Sequence, residues 1–108
     1  MSDFIHLHNH TDYSLLDAAQ TVETMCNRAY DLGMNSLAVT DHGNLFAMLP
    51  FYKQAQASGI KPILGCEIYV AITRHTDKQL ITSSTGKKRG YHHLVLIAQN
   101  TQGYQNLM

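Results

Sequence analysis

The feature that most constrains this chain is an alternation of short apolar runs with helix-spaced patterns. Residues 4–8, 36–40 and 60–71 form apolar runs of strand length, and the intervals between them hold apolar residues at helical spacing. That order argues for parallel β/α units, which gather their chemistry on the face where the strands end. Each run carries or leads into side chains that bind cations: His8-Asn9-His10 closes the first, Asp41-His42-Gly43 follows the second, and Glu67 lies within the third. Residues two apart on an extended strand point the same way, so His8 and His10 offer two imidazoles to one metal.

The punctuation of the helices supports this reading. Thr21 is placed to cap a helix in which Val22, Met25, Cys26, Ala29 and Leu32 share a face, and Gly33 offers a left-handed stop. Pro50 lacks a backbone donor, so the regular part of the second helix is expected after it, over residues 51–58, ending at Gly59. The run 60–71 reads as a long buried strand with a single acid. An unpaired carboxylate there costs several kcal/mol, so Glu67 requires a cation, strong hydrogen bonds or a raised pKa.

Residues 73–90 are polar and read as a mobile hairpin or loop with a basic tip, Lys87-Lys88-Arg89; a solvated tip is favoured over contact with a DNA backbone. Residues 91–99 form a fourth strand pattern, with His92 directed away from His93. Residues 100–108 look like the opening of a helix with no room to finish, so the chain is expected to be cut from a longer one. No repeat or internal boundary divides residues 1–108.

Composition excludes more than it specifies. The 108 residues are 44% hydrophobic and 15% charged, which suits one modest core or part of one. No apolar run approaches the roughly 20 residues of a membrane span, and the opening Met1-Ser2-Asp3 lacks the character of a signal peptide, so a cytoplasmic protein without membrane contact is expected. Cys26 and Cys66 sit among core-like residues and read as buried free thiols. Charge is lopsided. Residues 1–50 hold six acids against Arg28 alone, whereas residues 51–108 hold seven basic residues against Glu67 and Asp77. An acidic, histidine-rich pole suits cations, and a basic pole suits phosphates.

From His6-Leu7-His8-Asn9-His10-Thr11 onward the chain resembles the polymerase and histidinol phosphatase (PHP) domain. The resemblance continues through Tyr13-Ser14-Leu15-Leu16-Asp17, Thr40-Asp41-His42-Gly43-Asn44-Leu45-Phe46, residues 59–70 and Gly103-Tyr104-Gln105-Asn106-Leu107. These longer strings look like the amino-terminal PHP domain of bacterial C-family replicative DNA polymerases. The fold this implies is α/β: the first half of a distorted, TIM-like PHP barrel of seven β/α units. Because a half barrel exposes strand edges and apolar faces, self-association is expected.

Carried over to these positions, the family pattern makes His8, His10 and Glu67 ligands of one metal. Glu67 would bridge to a second metal bound by His93, and Asp17 with His42 would help bind a third. Three further ligands of the family's nine would lie beyond Met108, leaving each site incomplete and the 108 residues alone inactive. Ala18 departs from the Gly that the family often has there. His6 is expected as a hydrogen-bonded core histidine deeper in the barrel than His8 and His10. Asp41 is expected to orient His42 or cap its loop rather than bind metal.

Up to three divalent ions, zinc or manganese on account of mixed nitrogen and oxygen donors, would lower the pKa of a bound water and clamp a phosphoester. The resemblance therefore implies a metal-dependent phosphoesterase within a DNA-directed DNA polymerase, acting as a 3′ to 5′ proofreading exonuclease. DNA, deoxynucleoside triphosphates, a sliding clamp and a proofreading subunit are the implied partners. The alternatives are a non-catalytic structural platform in the same polymerase and a free-standing PHP phosphatase.

Overall fold

The computed structural model describes residues 4–14, 18–72, 74, 81–82, 88–89 and 91–108, with residues 81–82 and 88–89 described by their backbone alone. After a short 3-10 turn at Asp12–Ser14, the elements are α1 (Val22–Asp31), β1 (Ser36–Val39), α2 (Met48–Ser58), β2 (Lys61–Ala71), β3 (Ile81–Thr82), β4 (Lys88–Arg89), β5 (Tyr91–Ile97) and α3 (Thr101–Leu107).

Helix α1 forms where its spacing and cap predict. The Thr21 hydroxyl accepts from the Thr24 N–H, and the Thr24 hydroxyl accepts in turn from the Thr21 N–H, closing a capping box. Val22, Met25, Cys26 and Ala29 are buried along one face, while Leu32, expected to share it, caps the helix and is exposed. Helix α2 begins at Met48, three residues before the expected start. Pro50 falls in its first turn, where a missing N–H removes no intrahelical bond, so the ring is accommodated rather than disruptive. Gly59, at φ 74°, ends the helix in the left-handed region that favours glycine.

The sheet has the order β1-β2-β5. Strands β1 and β2 are parallel, with Ser36 opposite Lys61 and Val39 opposite Leu64, as a β/α unit requires. Beneath them, α1 and α2 pack on each other and enclose a core of Val22, Met25, Cys26, Ala29, Leu37, Val39, Met48, Phe51 and Ala55. Phe51 is fully buried, and removing a ring of this size from water contributes about 1.5–3 kcal/mol. Helix α3 lies against β2, capped by the Asn100 carboxamide, which accepts from the Gly103 N–H.

Two expectations are corrected. Residues 4–8 do not form a regular strand. The segment runs beside β1, but Ala38 donates to the His6 carbonyl and Thr40 to that of Asn9, so three residues advance here against two on β1. The extra residue interrupts the ladder like a bulge. Asn9 secures it, its carboxamide donating to the carbonyls of His6 and Ala38 at 3.1 and 3.0 Å.

The second correction concerns direction. Strand β5 is antiparallel to β2, with Gly65 opposite Ile97 and Ala71 opposite Tyr91. Among the described residues the connection contains no crossover helix; it holds the antiparallel pair β3 and β4, so the chain turns back on itself. That pair matches the expected hairpin, while Lys87 of the basic tip lies outside the described residues.

Candidate metal centre

One buried carboxylate collects four imidazoles. Glu67 is 3% exposed, midway along β2, and its Oε2 lies 3.0 Å from His8 Nε2, 3.0 Å from His10 Nε2 and 3.3 Å from His42 Nδ1. Its Oε1 lies 2.9 Å from His93 Nδ1.

Each imidazole arrives by a different local device. His8 and His10 reach the same oxygen from one side of the bulged amino-terminal segment, as their two-residue spacing predicts. His42 comes from the loop after β1, where an isolated parallel bridge sets it beside Glu67. There Glu67 donates its N–H to the Asp41 carbonyl and Gly43 donates to the Glu67 carbonyl. Gly43, at φ 60°, supplies the turn. His93 comes from the beginning of β5. Because β5 is antiparallel, its first residues lie beside the far end of β2, which explains how a residue opening its run joins ligands that close theirs.

The imidazoles pack against each other. The His10 and His42 rings are stacked with centroids 4.0 Å apart, and His8 meets His10 edge-on. Four protonated imidazoles cannot share one carboxylate at these distances without strong mutual repulsion. Burial pushes the His10 pKa down, and the neighbouring His42 adds to the effect against the opposing pull of Glu67. Burial raises the Glu67 pKa, but its hydrogen bond with His8 and the charges of His42, His8 and His10 outweigh this and leave it lowered. Imidazoles gathered in this way around a carboxylate make a donor set for a cation. Two donors on the edge of a tetrahedron around zinc sit about 3.3 Å apart, close to the spacings found. Among the described residues, two groups have donor atoms within 4.8 Å of one another: His8 with His10 and Glu67, and His42 with Glu67 and His93. The family pattern paired His42 with Asp17; Asp17 lies outside the described residues, and the structure brings His42 to Glu67 and His93.

Behind these donors is a hydrogen-bond network centred on Asp41. Asp41 is fully buried and accepts from the Thr11 N–H at 2.6 Å, the Thr11 hydroxyl at 2.7 Å and the Ser14 hydroxyl at 2.7 Å. Ser14 Oγ also lies 3.2 Å from His10 Nδ1 and accepts from the His42 N–H. Having given its proton to Asp41, that hydroxyl is an acceptor for His10 Nδ1–H, which leaves the His10 Nε2 lone pair facing Glu67. Asp41 therefore acts on His10 through Ser14, and on His42 through its backbone. Asp41 had been expected to orient His42 or cap its loop, whereas nothing in the sequence singled out Ser14.

His6 is a correction: it is exposed, its ring edge-on to Phe4 at 4.7 Å, and the extra residue between His6 and Asn9 takes it out of step with His8 and His10. His92 is exposed as expected. Cys26 and Cys66 are free and buried, and burial raises both thiol pKa values, which suits inert packing groups.

Residues 6–108 match the PHP domain model, and the chain belongs to that family. It is 47% identical over 105 residues to DNA polymerase III subunit alpha of Treponema pallidum (strain Nichols), covering 97% of this chain and 9% of the relative. The corresponding subunit of Borreliella burgdorferi is 48% identical over 107 residues, covering 99% and 9%. The chain thus spans about a tenth of the length of the curated relatives it matches. Among solved structures, an amidohydrolase from Chromobacterium violaceum with bound sulfate and no metal superposes with a TM-score of 0.65 at 24% identity, covering 95% of this chain and 31% of that one, a likeness of fold. A protein from Bifidobacterium adolescentis described as a candidate metal-dependent phosphoesterase gives a TM-score of 0.51 at 25% identity, covering 62% and 22%.

Proposed function

We propose that these residues form the opening part of the PHP domain in a bacterial DNA polymerase III alpha subunit, and that the histidines around Glu67 hold divalent ions for phosphoester hydrolysis at DNA 3′ ends. The observation that carries this reading is the sharing of one buried carboxylate by four imidazoles, which form two donor groups joined only at Glu67. His8, His10 and Glu67 would hold one ion, and Glu67, His93 and His42 a second, with Asp17 available to a third. Nitrogen-rich sites of this kind favour zinc or manganese over magnesium. When bound, such ions lower the pKa of a water and polarise the phosphoester.

The chain's own part is to fix donors and exclude protons. Ser14 and Asp41 hold His10 in the tautomer that leaves Nε2 free, and burial keeps it neutral. In the hydrolysis, a bond forms between the water oxygen and phosphorus while the bond from phosphorus to the 3′ oxygen breaks; that oxygen takes up a proton, and a nucleoside monophosphate leaves. The described sheet would be the first part of a seven-unit barrel. The partners would be DNA, deoxynucleoside triphosphates, the sliding clamp and a proofreading subunit, in the cytoplasm.

The test is metal analysis of the full-length protein beside its His8→Ala and Glu67→Ala variants. Stoichiometric zinc or manganese, abolished in Glu67→Ala and reduced in His8→Ala, with manganese-dependent removal of mismatched 3′ nucleotides lost in both, is the expected result. A protein that binds no metal and is indifferent to both substitutions is a structural platform instead.

A further inference from the structure

Beyond Glu67 and His93, the same face of the β2–β5 ladder carries two half-exposed tyrosines. Tyr69 follows Glu67 by two residues on β2 and lies opposite His93; Tyr91 precedes His93 by two on β5 and lies opposite the small Ala71. The Tyr69 and Tyr91 centroids are 4.5 Å apart, and Tyr91 is stacked on His93 at 5.5 Å with planes 10° from parallel. Tyr69 also leans over Gly43 of the His42 loop, its ring 3.5 Å from where a Cβ would stand. Tyr69 is 51% exposed and Tyr91 47%, so the two rings form a continuous aromatic surface beginning at a candidate metal ligand.

We propose that Tyr69 and Tyr91 are a base-binding shelf that receives the terminal nucleobase of a single DNA strand whose phosphoester lies at the histidine cluster. The inference rests on the phosphoesterase reading and deepens it, by selecting nucleotide ends over phosphoesters without a ring. Two residues along a strand span about 7 Å, comparable to the step from a phosphate across its sugar to the base. Aromatic side chains stack any base without reading its edge, which suits an end of arbitrary sequence.

The experiment has two arms and uses the full-length protein. In the first, an oligonucleotide with 5-iodouracil at its 3′ end is photo-cross-linked in the presence of EDTA, and the adduct is located by mass spectrometry. The expected adduct is on Tyr69 or Tyr91. In the second, manganese-dependent cleavage is compared for oligonucleotides ending in a normal or an abasic nucleotide. The Tyr69→Ala Tyr91→Ala double variant should raise KM about tenfold or more for the normal end and leave the abasic end unchanged, and Tyr69→Phe with Tyr91→Phe should restore it. Absence of the adduct, or equal effects on both ends, overturns the shelf. An adduct without any cleavage retains the shelf and instead sinks the phosphoesterase reading.

Discussion

His93 Nδ1 stands 2.9 Å from Glu67 Oε1, while His10 Nε2 approaches the other oxygen, Oε2, at 3.0 Å. The two donor groups, His8 with His10 and His42 with His93, share only Glu67, so their loss should be separable. His93→Ala should leave His8, His10 and Glu67 able to hold one ion, so metal analysis of the full-length variant should show stoichiometry reduced by one. Glu67→Gln should abolish both sites. Equal loss of all metal in His93→Ala would mean that a single ion, rather than two, is shared across Glu67.

Ser14→Ala should weaken the site without touching a metal ligand. The substitution removes the acceptor for His10 Nδ1–H and for the His42 N–H, and it takes one of three donors from buried Asp41. Loss of such outer partners typically costs 10–100-fold in metal affinity. Ser14→Thr, which retains the hydroxyl, should recover most of it. Metal titration with a competing chelator gives the affinities, and a variant that binds as tightly as the parent would remove Ser14 from this role.

How much of this was legible depends on how local each determinant is. The capped, periodic helix α1 and the runs that became β1 and β2 were readable because caps and spacing act within a few residues. The convergence of His8, His10, His42 and Glu67 followed from the parallel order of the runs, which gathers such residues on one face. The bulge at Asn9 was not readable, since its carboxamide bonds to Ala38, 29 positions away, and with the bulge went the assignment of His6. The antiparallel course of β5 was within reach: a hairpin was expected in residues 73–90, and a hairpin with no crossover helix returns the chain in the opposite direction. Drawing that step would have brought His93 to Glu67 by geometry rather than by family pattern. Ser14 could not be found, because a serine's hydrogen bonds depend entirely on what the fold sets around it.

Gly65→Ala should be more damaging than its small change suggests. A Cβ at this position would stand 2.5 Å from the Leu96 carbonyl oxygen and 3.0 Å from Thr40 Cγ2, so the backbone of β5 must move away. Since β5 carries His93, the displacement reaches the metal centre through the register of the ladder. A stability loss of about 1–3 kcal/mol, typical of overpacking, should accompany weakened binding of one ion. Denaturant unfolding and metal titration of the same variant check both; a stable variant with one ion lost would still support the register argument, whereas unchanged binding would oppose it.

Acidification should destabilise the metal-free protein in two stages. His10 titrates in the fold below its ordinary value near 6.5, so as pH falls from there the unfolded chain binds the proton first and stability drops until the folded pKa is passed. Glu67 is likewise lowered from about 4.5; its stabilising contribution is present above that value and is lost as pH falls through the folded pKa. In both cases the unfolded state holds more protons, so stability rises with pH. Denaturant unfolding followed downward from pH 7.5 to below the ordinary carboxylate range should show both stages, and His10→Gln should flatten the first and weaken the second, because the His10 charge is one of those that lower Glu67. With metal present the dependence should steepen, because protons compete for the same nitrogens. An identical slope for parent and His10→Gln between pH 6.5 and 5 would show that His10 is not held neutral by its surroundings.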